Sequence, residues 1–318
     1  MKETILVTGG AGAIGSRLVK DLVQAHRVLV VDDLSSGWFD NLRGLPVEFW
    51  RGSVTDEELL NEVFAENPTV VFHLAANFAN QNSVDYPQKD LLVNGLGTLK
   101  VLEFARKAKV KRFVYTSSSC VYDNFNEPIR EDMVGEALDT PYAISKLNGE
   151  HYVRFFHEYH RMPTAVLRLF NSYGPGEYPG KYRNVIPNFI YMAMNGQKLT
   201  ITGTGEETRD YTYVDDTIQA LKLCMIRDEA VGQIFNTGTG IETSMNRFLD
   251  CLRSVLQSEI AVEYQPRRDW DSITRRCSDI GKISRVLGYK TTVDLETGLR
   301  RTVDWFHQND IRRFRMYN

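Results

Sequence analysis

Three glycines spaced three apart, Gly9, Gly12 and Gly15, stand between the apolar run Ile5-Leu6-Val7 and the helix-like stretch Ser16 to Gln24. A strand, a glycine loop and a helix in that order let a pyrophosphate approach the backbone. Ala13 and Ile14 belong to that loop, and the helix N-terminus after it offers its free N–H groups to the anion. A tight strand-to-helix turn without a ligand would use the same glycines. The next strand, Val28 to Val31, ends in Asp32-Asp33, where a carboxylate meets the ribose hydroxyls of an adenosine. That carboxylate repels a 2′-phosphate, so the pattern predicts NAD over NADP. Strands and helices alternate at short spacing through the first half, which predicts crossover units. The fold class expected is α/β, a Rossmann-type doubly wound parallel sheet.

Two more strands follow, Pro46 to Trp50 and Val70 to Leu74. The second ends in Ala75-Ala76-Asn77, whose small side chains leave space at a strand's carboxyl end. His73 lies within this apolar strand and reads as a packed core residue. A helix is expected from Leu91 to Ala108, carrying Asn94 and Gly97-Thr98. The strand Arg112 to Tyr115 then runs into Thr116-Ser117-Ser118-Ser119-Cys120, and a helix begins at Pro141. On that helix Tyr142 and Lys146 are four apart and share a face. There the ammonium holds the phenol's pKa down, and a strand-end hydroxyl reaches the same substrate oxygen. A solvated helix face often carries the same pair. The aromatic stretch Glu150 to Phe156 reads as packing or a subunit contact.

After the strand Thr164 to Phe170 the chain turns rich in Gly, Pro and Tyr, from Asn171 to Asn184. The NAD-binding domain is expected over residues 1–170, with a returning strand near 231–240 that includes Gln233 to Asn236. Residues 171–318 form mainly a smaller, discontinuous C-terminal substrate-binding domain. It holds a helix Met245 to Leu256, a strand Ala261 to Tyr264 and the segment Arg267 to Leu287. The basic, aromatic end, Ile311 to Asn318, has no assigned role.

A chain of 318 residues has room for both domains. Its formal charge of -3 argues against a nucleic-acid binder. Cys120, Cys224, Cys251 and Cys277 are scattered without metal-ligand spacing, which predicts free thiols, a reducing compartment and no metal. No signal peptide precedes the first strand, and no apolar run approaches the roughly 20 residues of a membrane span. A soluble, cytoplasmic protein with no membrane partner is expected.

With these residues in view, the chain resembles the extended short-chain dehydrogenase/reductase family, in its NAD-dependent nucleotide-sugar epimerase and dehydratase group. The likeness rests on the glycine loop, Ser118-Ser119-Cys120-Val121-Tyr122, Tyr142-x-x-x-Lys146 and Arg168-Leu169-Phe170-Asn171. It continues through Tyr173-Gly174-Pro175, Asn184-Val185-Ile186-Pro187, Thr208-Arg209-Asp210-Tyr211 and Arg268 with Asp271. The resemblance implies that Tyr142 is the acid/base, that Lys146 lowers its pKa and binds the nicotinamide ribose, and that Ser118 is the partner hydroxyl. It puts Ser53-Val54 at the adenine and Leu74, Ala75, Ala76 and Asn94 along the cofactor. Arg209 and Arg268 would hold the substrate's diphosphate, Asp271 its ribose, and Asn171, Asn184 and Val185 the diphosphate or sugar.

Where dehydratases of this group carry an Asp-Glu pair after the catalytic hydroxyl, this chain has Ser119 and Cys120, which points to C4 epimerisation of a UDP-hexose or UDP-hexuronic acid through a 4-keto sugar. Arg275, four residues after Asp271, falls where 4-epimerases gate the sugar and is read either as facing a carboxylate or as a solvated charge. A C3/C5 epimerase using Cys120, a UDP-glucuronate decarboxylase and a non-catalytic NAD-binding sensor are the competing readings. The resemblance also implies a homodimer, built on the helices Leu91 to Ala108 and Tyr142 to His160.

Overall fold

The computed structural model describes residues 2–268 and 271–311; the C-terminal stretch from 312 on, left without a role above, lies outside them. Seven strands form one parallel sheet: β1 (Thr4–Thr8), β2 (Arg27–Asp32), β3 (Val47–Arg51), β4 (Val70–His73), β5 (Arg112–Ser118), β6 (Thr164–Leu169) and β7 (Gln233–Thr237). Their spatial order is β7-β6-β5-β4-β1-β2-β3. Strands buried on both faces need apolar side chains at successive positions, and β1 has them. Ile5 and Val7 enter the core on one face of the sheet, while Leu6 joins that on the other. The strand order reverses direction between β1 and β4. Crevices at such a switch, beyond the carboxyl ends of the strands, are where doubly wound folds bind ligands.

Helix α1 (Ala13–Leu22) starts three residues earlier than expected, directly from the glycine loop. Helix α2 (Glu57–Ala65) is capped by Asp56, whose side chain accepts from the backbone N–H groups of Glu58 and Leu59. The helix expected from Leu91 divides: Leu91–Gly97 winds in wider π-helical turns, and α3 (Thr98–Lys107) continues regularly. Such bulges recur at functional sites because they re-aim side chains. Helix α4 (Pro141–His160) has Thr140 as its cap, accepting from Ala143 N, and a proline at its first position. Gly149 lets α4 lie close against β5, since a Cβ there would overlap the Tyr115 hydroxyl.

The returning strand pairs in parallel register with β6, Gln233 opposite Ala165. The second region adds α5 (Val185–Met194) and small two-stranded sheets, one pairing Leu199–Thr202 with Val262–Gln265. Helix α6 (Val214–Ile226) packs back on α1 and so joins the layers around the main sheet. We keep the division near residue 170 as a proposal, with α6 and β7 as returns from the later half.

One buried ion pair ties these parts together. Arg168 on β6 donates from Nε and Nη2 to both carboxylate oxygens of Glu150 on α4, at 2.9 and 2.7 Å. The two side chains are 2% and 3% exposed. Nη1 of Arg168 also donates to the Tyr122 hydroxyl, which donates to Asn236 Oδ1 on β7. Breaking such a pair leaves a lone buried charge. Arg168→Met should therefore lower stability by about 3–5 kcal/mol, and the double variant Arg168→Met/Glu150→Leu by less. Urea unfolding measures both; equal losses would show that the pair acts only through packing.

Candidate active site

The cleft opens along the carboxyl ends of β1, β2, β4, β5 and β6. Gly9, Gly12, Ala13, Ile14 and Gly15 form its floor. Gly9 has φ of 71°, and a Cβ there would come within 2.7 Å of Ala75 N, so only glycine lets β1 and β4 close at this point. A Cβ at Gly15 would overlap the Gly9 carbonyl. The cradle is thus bare backbone before a helix N-terminus, the shape a pyrophosphate fits.

Asp32 and Asp33 both line the cleft, with different duties. Asp32 is buried and accepts from the backbone N–H groups of Ala11 and Leu34, each at 2.9 Å, tying β2 to the glycine loop. Burial raises its pKa against the lowering pull of those two bonds. Asp33 is exposed at the rim. Ser53, Val54, Leu74, Ala75 and Ala76 continue the wall.

Asn94, read as a cofactor contact, does not line the cleft. The wide turn at Leu91–Gly97 directs it inward, where Nδ2 donates to Asp90 Oδ1 at 2.8 Å and to Ser145 Oγ at 3.1 Å, and Oδ1 accepts from Asn77 N at 2.7 Å. It braces the end of β4 against α4. His73 is fully buried between Thr8 Oγ1 (2.7 Å) and Thr98 Oγ1 (3.0 Å), and burial pushes its pKa down to about 3. It is a neutral core histidine.

Ser118 ends β5, and its Oγ accepts from Cys120 N at 3.2 Å. Tyr142 and Lys146 rise from the first turns of α4 into the same space, beside Ser119 and Cys120. Tyr142 is held by its N–H to Ser83 Oγ at 3.0 Å and by edge contact with Phe78. The Lys146 ammonium lies 4.4 Å above the centre of the Tyr115 ring, a cation–π placement. Burial draws its pKa down to about 8, with Asp90 and Glu150 pulling the other way. The expected lowering of the phenol's pKa is not what the structure shows. Burial raises the pKa of Tyr142, the Cys120 charge adds to it, and only the hydrogen bond with Ser118 opposes it. Desolvation wins because the Tyr142 side chain is buried.

On the far side stand Asn171, Asn184, Arg209 and Asp271. Asn184 Nδ2 donates to Glu177 Oε1 at 3.0 Å, and Arg209 donates to the carbonyls of Thr208 and Ile273. Three residues read as substrate contacts lie elsewhere. Val185 packs into the core, and Arg268 is exposed outside the cleft wall. Arg275 turns to Glu242, Nε to Oε1 at 2.5 Å, and faces away from the sugar side. The register of this segment is set by Ile129, which pairs with Ser278 and bonds Cys277 O and Asp279 N, so counting forward from Asp271 misplaces it. Its neighbour Arg276 is the one that enters the cleft, as do Glu177 and Arg183. Nothing in the sequence separates Arg275 from Arg276.

Residues 5–238 match the model of the NAD dependent epimerase/dehydratase family. The chain belongs to that family. It is 36% identical to a UDP-glucose 4-epimerase of Mycolicibacterium smegmatis over 311 residues, 95% of this chain and 97% of that protein. Among solved structures, the epimerase Mth375 of Methanothermobacter thermautotrophicus superposes with a TM-score of 0.96 at 47% identity, covering 99% of this chain and 96% of that one. A UDP-glucuronic acid 4-epimerase of Bacillus cereus, solved with UDP-glucuronic acid and NAD, gives 0.89 at 27% identity, covering 96% and 99%. Members of the family use NAD, and the bare glycine cradle and the acids after β2 fit that cofactor here. Among the described residues no His, Cys, Asp and Glu cluster could hold a metal, and no helix is long and apolar enough to cross a membrane.

Glu177 gives the family's cleft a pH-sensitive wall. Burial lifts its pKa to about 7, above the ordinary 4.5, with Arg183 and Asn184 opposing. Between pH 4.5 and 7 the folded chain keeps a proton that the unfolded chain has lost, so stability falls as pH rises through that window. Glu177→Gln keeps a carbonyl for Asn184 and should remove this loss. Thermal unfolding from pH 4.5 to 8 reads it; parallel curves for wild type and variant would show that the carboxyl does not titrate there.

Proposed function

We propose that the protein is a UDP-sugar 4-epimerase, acting on a UDP-hexose or UDP-hexuronic acid through a 4-keto sugar. The observation that carries this is the meeting of Ser118, Tyr142 and Lys146 in one buried corner beside Ser119 and Cys120. The Asp-Glu pair of the resembling dehydratases has no counterpart at these two positions.

In this reading Tyr142 takes the proton of the C4 hydroxyl, and Ser118 donates a hydrogen bond to the oxygen as it becomes a carbonyl. Lys146 supplies the positive charge that the dry phenol needs to ionise. NAD supplies the acceptor for the C4 hydride and its return to the opposite face. Arg209 and Asp271 hold the nucleotide while the sugar turns.

Proton-NMR analysis of products from UDP-glucose, UDP-galactose and UDP-glucuronate tests the reaction, with C4 inversion and no net oxidation expected. Tyr142→Phe should bind NAD yet lose turnover by roughly 10²–10⁴-fold. Near-native turnover in that variant would move the proton handling to another residue.

One contact favours a second reading. Arg276 Nη1 lies 3.8 Å from Cys120 Sγ, which puts a cation beside the thiol. A C3/C5 epimerase working through Cys120 would exchange solvent deuterium into C3 or C5; C4 inversion without exchange excludes it.

We further propose a homodimer in the cytoplasm. Leu91, Leu92 and Leu96 on the π-turned segment and Ile144, Phe155 and Tyr159 on α4 are exposed, more apolar surface than a solitary helix pair presents to water. The cysteines are unpaired, as in a reducing compartment. Light scattering should give twice the 36.4 kDa chain mass, and a monomer at micromolar concentration would refute the pairing.

A further inference from the structure

We propose that the buried carboxylate of Asp90 is the fixed counter-charge of Lys146, and that Asp90 is thereby a positioning residue for the proton chemistry at Tyr142. The inference rests on the 4-epimerase reading above only for the reaction that this chemistry serves.

Asp90 ends the short helical turn Pro87–Asp90, directly before the π-wound segment Leu91–Gly97. Its side chain is 0% exposed and does not line the cleft, so it meets no substrate itself. A carboxylate so placed needs donors or a cation. Oδ1 accepts from Asn94 Nδ2 at 2.8 Å, whereas Oδ2 has no hydrogen-bond partner among the described residues. The cation whose charge acts on Asp90 is Lys146.

The wide turn makes the link between them. By directing Asn94 inward it joins Asp90 to Ser145 Oγ, with Nδ2 donating to both at 2.8 and 3.1 Å. Ser145 stands next to Lys146 on α4 and donates to the Tyr142 carbonyl at 3.1 Å. The carboxylate is therefore tied, through two side chains, to the turn of α4 that carries both Tyr142 and Lys146.

Other titratable groups around Lys146 are neutral or engaged. His73 on β4 and Tyr115 on β5 are fully buried, and burial holds both in their neutral forms. Glu150, one turn further along α4, is bound by both oxygens to Arg168. Cys120 stands in the cleft wall after β5. Asp90 is the carboxylate left without a guanidinium or ammonium in contact. Burial draws the Lys146 pKa down, and Asp90 is the strongest of the groups that oppose it. On Tyr142 the same charge is the weakest of the influences that act with or against burial. Asp90 thus keeps the lysine charged with little opposition to ionisation of the phenol.

NMR of protein labelled with carbon-13 at the lysine ε-carbons reads the Lys146 ammonium directly, and the Lys146→Arg spectrum identifies its signal. In Asp90→Asn, which keeps the shape and an oxygen for Asn94, the Lys146 pKa should fall by about one unit or more. Removing a negative charge eases proton loss from lysine and phenol alike. Both limbs of the pH profile of kcat should therefore move to lower pH. Ser145→Ala removes a link of the same bridge without removing charge, and should leave the limbs in place. A folded Asp90→Asn protein with an unmoved Lys146 titration would overturn the proposal, as would a lowered lysine pKa with unmoved limbs. Should Asp90→Asn fail to fold, Lys146→Met probes the pair from the other side. The Asp90 carboxyl, read from carbon-13 at aspartate Cγ, should then titrate at higher pH than in wild type, and an unchanged value refutes the pairing. A wild type that inverts none of the UDP-sugars would remove the epimerase reading, while the NMR titrations would still decide the counter-charge.

Discussion

The Arg168–Glu150 pair is the constraint on which the corner of Ser118, Tyr142 and Lys146 depends. A parallel sheet holds its own strands in register through backbone bonds, but nothing in that pattern fixes where a covering helix stops along the strands. The bidentate bond does so, pinning the middle of α4 to β6. The Tyr122 and Asn236 links extend the same clamp to the segment after β5 and to β7. Tyr142 and Lys146, about two turns and one turn before Glu150, are thereby carried to a set height above Ser118. A buried pair of this kind adds little net stability against an apolar substitute, and its value here is positional.

Burial governs the chemistry of the cleft more than charge pairing does. It draws Lys146 down to about 8, lifts Glu177 to about 7 and raises the pKa of Tyr142. Lys146 and Glu177 are both moved toward neutral pH, where a group exchanges its proton most readily. For Tyr142 the displacement runs the other way. Its ionisation depends on positive charge brought close, from Lys146 and from the cofactor that members of this family bind.

The limits of the sequence reading are clearest in residues that share a motif but not a surface. Asn94 belongs to a helix that the periodicity shows as continuous, yet the wide turn at Leu91–Gly97 rotates it into a buried brace with Asp90 and Ser145. Arg275 and Arg276 are chemically identical neighbours. The pairing of Ile129 with Ser278, contacts 149 positions apart, decides which of them enters the cleft. Glu177 stood unremarked in a loop rich in Gly and Pro, and its lifted pKa comes from burial that no local pattern encodes.

Local covalent chemistry settled what the sequence could settle alone. Glycines at 9, 12 and 15 permit a close approach of backbone to backbone, continuous apolar runs demand a sheet covered on both faces, and Tyr142 and Lys146 share a helix face by the pitch of the helix. Those are short-range rules, and they were enough for the α/β class, the bare-backbone glycine loop and the shared face of Tyr142 and Lys146, while the resemblance to the family singled out Ser118. Which charges face the substrate, which are paired and which are dry depends on contacts between segments far apart in the chain. Desolvation and long-range register are properties of the packed molecule, so only the tertiary structure could turn Arg275 outward to Glu242 and leave Arg276 buried and partly unpartnered in the cleft.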